Sequence, residues 1–262
     1  MSLLILLHSS KTMRTGRGEY APLGVPQFTR EAEELVKMWR GVDAPELQKL
    51  MKISEKKADE VAGMFSEWSA RAGAQYIPAI NAFSGDIYSG LQTHSWSAED
   101  RQYAHTHLLI LSGLYGALRA CDGVLPYRLE MGYTLPDGRS LYAFWGQRLA
   151  TAVSSDLRLL VNLSAVEYTK AFLPYLDGAT RVVTPKFLTV HEKTGVARFV
   201  TVHAKIARGA FAGWLVRERI ADAERLAEFA ELGYKYDAKE STPEVPVFVC
   251  ERFEGLGMSV RG

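Results

Sequence analysis

Residues 108–116 read LLILSGLYG: four apolar residues, a serine, and a turn bracketed by Gly113 and Gly116. An apolar run this short, closed by a turn signal, is the pattern of a strand buried on both faces. The stretches LLILLH (3–8) and LLVNLS (159–164) repeat it, each ending in polar residues. Three such strands predict an α/β (α+β) chain built on a mixed β-sheet flanked by helices. In open α/β sheets ligands collect outside the carboxyl ends of the strands, so His8–Thr12, Ser112–Tyr115 and Asn162–Ser164 are expected to share one crevice.

Between these runs the apolar spacing predicts helices over 28–40, 44–51, 55–67, 97–106, 141–154, 204–220 and 222–231. The alternating segments 197–203 and 245–253 read as further strands, with 180–184 as another. The stretches 14–26, 71–76, 134–140 and 237–245 read as loops too short for linkers, so a single domain over 1–262 is expected. Residues 44–67 predict two helices joined by a very short turn, with Ser54 as the second helix's N-cap. Such a pair resembles a helix-hairpin-helix, which offers backbone amides and cations to DNA phosphates. The usual hairpin glycines are absent from Lys52-Ile53-Ser54, and Lys52, Lys56 and Lys57 are countered by Glu55, Asp59 and Glu60. An ordinary helical hairpin with a solvated face accounts for these residues equally well.

The 262 residues are 47% hydrophobic and 23% charged, the balance of a globular chain. The opening MSLLILLHSSKTMR lacks a basic region before its brief apolar run, and no run approaches a membrane span. A soluble cytoplasmic protein without a membrane partner is expected. Cys121 and Cys250 form no CxxC pair, and HExxH, EF-hand and GxGxxG patterns are missing, so no metal and no cofactor is indicated. A net charge of +1 is far from the strongly basic balance of most nucleic-acid-binding domains. A polyanion would have to meet a local patch.

Four polar clusters supply that patch. Ser9, Ser10 and Lys11 follow the first strand and make an anion seat of small hydroxyls beside a lysine. In NAFSGDIYSGL (81–91), Gly85 and Gly90 flank Asp86 and Tyr88, and Asp86 reads most simply as a helix cap. After the 108–112 strand come Ser112, Tyr115 and Arg119, the last on a helical turn. Pro126 then sets an extended segment carrying Tyr127, Arg128 and Glu130. Residues two apart on an extended chain share a side, so Arg128 and Glu130 are read as holding a ligand or each other. In HAKIARGAF (203–211), Lys205 and Arg208 share a face of a first helical turn. Cations there oppose the helix dipole unless an anion joins them, which favours an anion site.

Taken together the chain resembles the YaaA family of peroxide-stress proteins, through SSKTM (9–13), LMKISEKKA (50–58), FSGDIYSGL (83–91), LSGLYGALR (111–119), PYRLEMG (126–132), LYAFWG (141–146), NLSAVEY (162–168) and HAKIARG (203–209). The resemblance implies a compact mixed α/β fold with a helix-hairpin-helix element and a basic cleft. It also implies DNA binding and protection from peroxide damage, including lower free iron. This chain departs from the family's usual words at His8-Ser9-Ser10, which replaces Ser-Pro-Ala, at Ala120-Cys121, and at Ile206, which replaces a lysine.

Two functions follow. One is DNA-backbone binding in the peroxide-stress response, with Ser9, Ser10, Lys11, Lys52, Lys56, Lys57, Ser112, Tyr115, Tyr127, Arg128, Lys205 and Arg208 as contacts. The other is an enzyme for a small anionic nucleotide- or nucleobase-containing substrate, by glycosidic cleavage or base transfer. In that reading Asp86, Tyr88, Glu130 and Lys11 do the chemistry.

Overall fold

The computed structural model describes residues 3–16, 20–70 and 76–255; the predicted loop at 71–76 lies outside them except for Tyr76. The expected strands form a central five-stranded sheet. Leu3–His8 runs between Leu108–Ser112 and Leu159–Asn162, parallel to both, with Leu6 in register with Leu109 and Asn162. Arg181–Val183 continues the parallel array beyond Leu159–Asn162, and Gly116–Arg119 returns antiparallel on the opposite edge. Arg119 therefore ends a strand and does not sit on the helical turn expected for it. The three apolar runs are buried, as their lack of alternation requires.

A second sheet has the order Ala197–Arg198, Lys186–Val190, Val247–Cys250, Tyr234–Tyr236, and Thr12–Met13 pairs with Phe83–Ser84 and Ile77–Pro78 with Gly123–Val124 in two short ladders. The expected strand at 197–203 is only two residues long. Helix Thr201–Arg217 begins inside it, its first two residues exposed and its buried face starting at Ala204. The predicted helix at 141–154 is α-helical over Leu141–Trp145 and then tightens to a 3-10 turn over Gly146–Ala152. At 222–231 only a 3-10 turn, Glu224–Glu228, forms.

Helix Thr201–Arg217 is buried from Gly209 to Val216 on every side, so it lies inside the molecule. Phe211 packs edge-on against Phe187 and Phe248 of the second sheet, at centroid distances of 5.7 and 5.4 Å. On its other side it meets the short helix Asp86–Leu91 backbone to backbone. A Cβ on Gly209 would stand 1.8 Å from the Ile87 carbonyl oxygen, and one on Gly90 would stand 2.0 Å from that of Ile206. Apolar side chains of both sheets join one continuous buried cluster.

Helices Ala44–Met51 and Glu55–Glu67 form the expected hairpin, with the Ser54 hydroxyl accepting from the Lys57 amide. Lys52 closes the first helix in the left-handed region at φ 53°, where glycine is the favoured residue. Behind the central sheet, Asp122 is 1% exposed. One carboxylate oxygen accepts from the Arg119 amide at 2.8 Å, while Oδ1 has no partner among the described residues. Burial pushes this carboxyl up to about 6.

Two predictions follow. Gly209→Ala and Gly90→Ala each force the helices apart and are expected to cost about 3 kcal/mol or more, well above an ordinary small-to-large change; a denaturant melt showing less than about 1 kcal/mol would contradict the contact. For Asp122, whose folded proton affinity exceeds the unfolded one, the native state holds the extra proton between about pH 4 and 6, so stability falls as pH rises through that window. Asp122→Asn keeps the bond to Arg119 and carries no charge. It is expected to be more stable than wild type by up to about 3 kcal/mol at pH 7.5, with the advantage vanishing near pH 4 in parallel melts.

Candidate functional site

Beyond the carboxyl ends of Leu3–His8 and Leu159–Asn162 lies a cavity of about 380 Å³. Its lining includes Ser9, Ser10 and Lys11, with Asp86 and Tyr88 from the second cluster and Glu130 and Lys205 from the other two. Of the three strand ends expected to meet there, only the one at His8–Lys11 contributes to the lining; none of Ser112–Tyr115 or Asn162–Ser164 does. The size lies within the range of small-molecule pockets.

Local structure explains how each group arrives there. The Ser9 amide bonds to the Leu111 carbonyl at 2.8 Å, which carries the first strand one residue into the cleft. The short ladder of Thr12–Met13 against Phe83–Ser84 then turns the chain past Gly85. Asp86 is the first residue of its helix, whose N-cap is Gly85; its carboxylate caps nothing and has no partner among the described residues. The capping role expected for Asp86 is thus not the one it plays. Gly113 is where the opening motif shapes the site: a Cβ there would stand 2.2 Å from the Leu129 carbonyl oxygen. Only glycine lets the segment bearing Glu130 lie against the strand end.

Glu130 is the hub of one wall. Lys11 Nζ lies 2.7 Å from one of its oxygens and Arg128 3.7 Å from the other. The Tyr133 hydroxyl sits 2.6 Å from Glu130 and 3.3 Å from the Met51 carbonyl, so the helical hairpin is tied to this wall. Arg128 also reaches the Lys11 carbonyl at 3.5 Å. The paired reading of Arg128 and Glu130 holds, with Lys11 as a third member.

The opposite wall is cationic. Lys205 and the half-buried Arg208 have neither an ion pair nor a side-chain hydrogen bond among the described residues. Both stand near His8, whose Nδ1 accepts from the Ala165 amide at 3.1 Å. Burial, then Arg208 and Lys205, lower the His8 imidazole to about 3. His8 is therefore neutral at pH 7 with its proton on Nε2. Since the unfolded chain takes up that proton more readily, His8 withdraws stability as pH falls from about 6.5 toward 3.

Other expected contacts lie elsewhere. Ser112 is fully buried, its hydroxyl shared between the Tyr115 amide at 2.9 Å and the Tyr127 hydroxyl at 2.6 Å. Tyr115 accepts from Trp68 Nε1 at 2.8 Å and the Leu125 amide at 3.0 Å. Ser112, Tyr115 and Tyr127 thus form a hydroxyl layer beneath the cleft and do not line it. Tyr88 presents its ring, while its hydroxyl donates to the His8 carbonyl at 2.8 Å. Burial raises the Tyr88, Tyr115 and Tyr168 phenols and pushes Tyr127 up to about 12, so none of them supplies a phenolate at neutral pH. Lys52 and Lys56 are exposed on the hairpin, and Lys57 is paired with Glu60.

Glu167, Tyr168 and Tyr133 were not among the residues singled out by sequence. Glu167 and Tyr168 follow the strand Leu159–Asn162 directly, so its polar end was the available signal. Glu167 accepts from the Gly132 amide at 2.9 Å, and Tyr168 receives the Ser9 hydroxyl at 3.3 Å. No group of three metal-ligating side chains occurs among the described residues, and no helix there is long and apolar enough to cross a membrane.

Similar proteins share one description. A UPF0246 protein of Salinispora tropica is 46% identical over 99% of this chain and 98% of its own length. One from Dinoroseobacter shibae is 42% identical over 86% of each chain, and one from Burkholderia mallei 40% over 85% of this chain and 88% of its own. Residues 3–240 match the family described as peroxide stress protein YaaA, and the chain belongs to that family.

Proposed function

We propose that this chain serves in peroxide-stress protection by binding DNA along a surface that runs from the helical hairpin into the strand-end cleft. The observation that carries the reading is Tyr133. By touching both Met51 and Glu130 it makes the hairpin and the cleft neighbours. Lys52 and Lys56 then lead through Arg128 and Lys11 to Lys205, a succession of cations on a chain with a net charge of +1. Phosphate neutralisation needs such a local track and no overall basicity.

A second reading, an enzyme for a small nucleotide-like substrate, is favoured by the unpaired Asp86 carboxylate in a cavity of about 380 Å³. Backbone binding gives a carboxylate no work to do. A general acid or base, or a stabiliser of developing positive charge, is what this group offers in that case. Glu130 is held by Lys11, Arg128 and Tyr133, so Asp86 is the better placed of the two for proton transfer.

Fluorescence anisotropy of labelled duplex DNA across a salt series tests the first reading. Lys52→Gly is the informative variant, because it removes a charge while relieving a left-handed backbone that costs a non-glycine residue about 1 kcal/mol. The Lys52→Gly/Lys56→Gln protein is expected to melt no lower than wild type, yet to bind several-fold more weakly and with a salt slope shallower by about 2. Unchanged affinity in that variant, or wild-type binding insensitive to salt, would remove the hairpin from DNA recognition.

A further inference from the structure

The unsatisfied groups of the cleft have a definite polarity. The lining includes Lys205 and His8, whose Nδ1 is occupied by the Ala165 amide so that its proton sits on Nε2, and Arg208 stands near His8 outside the lining; neither cation is paired among the described residues. The lining also includes Asp86, whose carboxylate is an acceptor without a donor among the described residues. The His8 and Tyr168 rings, 4.9 Å apart and tilted by 31°, form an aromatic wall beside Ile87 and the ring of Tyr88.

Each feature constrains a ligand. Two free cations and a neutral N–H donor together call for a phosphate or comparable polyoxygen anion. Neutral His8 adds a hydrogen bond there without adding charge. A lone carboxylate calls for adjacent N–H donors, and two pointing the same way satisfy both its oxygens. The aromatic wall calls for a flat ring. The volume admits one nucleotide unit and excludes a duplex.

We propose that the cleft binds a single guanine nucleotide unit, with its phosphate on Lys205, Arg208 and His8 and its N1–H and exocyclic amine on Asp86. Guanine is the common base whose edge offers two neighbouring N–H donors to one carboxylate. The proposal rests on the cleft being an anion site, and it makes His8 and Asp86 specificity residues, one for each end of the ligand.

Calorimetric titration of the full chain with GMP, IMP, UMP and guanosine tests it. GMP is expected to bind at least about ten-fold tighter than IMP, which lacks only the exocyclic amine, because a hydrogen bond to a charged group is lost. Guanosine, without phosphate, is expected to bind at least ten-fold weaker than GMP. Asp86→Asn should bring GMP and IMP to the same affinity while GMP still exceeds guanosine, and Arg208→Gln should shrink the difference between GMP and guanosine. Circular dichroism melts check that both variants fold. The wild-type ranking needs no variant, and equal affinities for GMP, IMP and UMP, or no mononucleotide binding at millimolar concentration, would overturn the proposal. Duplex anisotropy on the same wild-type sample separates the two ideas. Salt-sensitive duplex binding without mononucleotide binding sinks this inference alone, and loss of both sinks the anion reading of the cleft as well.

Discussion

The contact on which the site depends is the backbone-to-backbone meeting of helix Asp86–Leu91 with helix Thr201–Arg217. Gly90 and Gly209 leave each helix's carbonyls directly against the other, at a separation no side chain would permit. One helix carries Asp86 and Tyr88, the other Lys205 and Arg208. The distance between the acidic and the cationic side of the cleft is therefore set by two missing methyl groups. The long helix is in turn fixed by Phe211 in the aromatic cluster of the second sheet. A sheet that contributes no residue to the cavity lining thus determines where two of the cleft's cations stand.

Gly113 plays the matching part on the other wall, where it admits the Leu129–Glu130 backbone. The two walls differ in how their charge is treated. Around Glu130 the cations are compensated, since Lys11 and Arg128 share one carboxylate that Tyr133 also engages. Around His8 they are not, and the imidazole stays neutral through its burial first and the neighbouring Arg208 and Lys205 second. Like charges crowded without a counter-ion raise one another's free energy, and a protein relieves this by neutralising the group that gives up its proton most easily. Here that group is His8. Lys205 and Arg208 are left without a counter-ion among the described residues.

Much of this was legible in the sequence, for identifiable reasons. Continuous apolar runs ending in polar residues mark strands of a parallel sheet, and the carboxyl-end rule placed Ser9–Lys11 at the cleft. Lys205 and Arg208 were assigned to an anion site by their position in a helix start, even though that helix begins earlier than its apolar spacing suggested. What escaped was contact across long sequence separations. Tyr133 touching Met51 joins residues 82 apart, and nothing local to either announces it. Hydroxyl groups were equally opaque. Ser112, Tyr115 and Tyr127 lie in the same kind of motif as Ser9, yet their hydroxyls bond to one another and to nearby backbone and indole donors beneath the floor. Residue type shows the capacity for a hydrogen bond, while only packing decides which partner uses it.

The hairpin and the cleft make different physical demands, and the chain answers them differently. A module that grips phosphate through its backbone needs glycine at its turn, so that amides can approach the ligand. Lys52 occupies that turn in the left-handed conformation, with a side chain where an open approach would be. The hairpin has kept the backbone path and filled the space with a flexible cation. Its contribution to binding is then long-range and salt-screened, a matter of charge more than of fit. The cleft is the reverse: its groups are fixed by glycine contacts and a bonded imidazole, so it can discriminate.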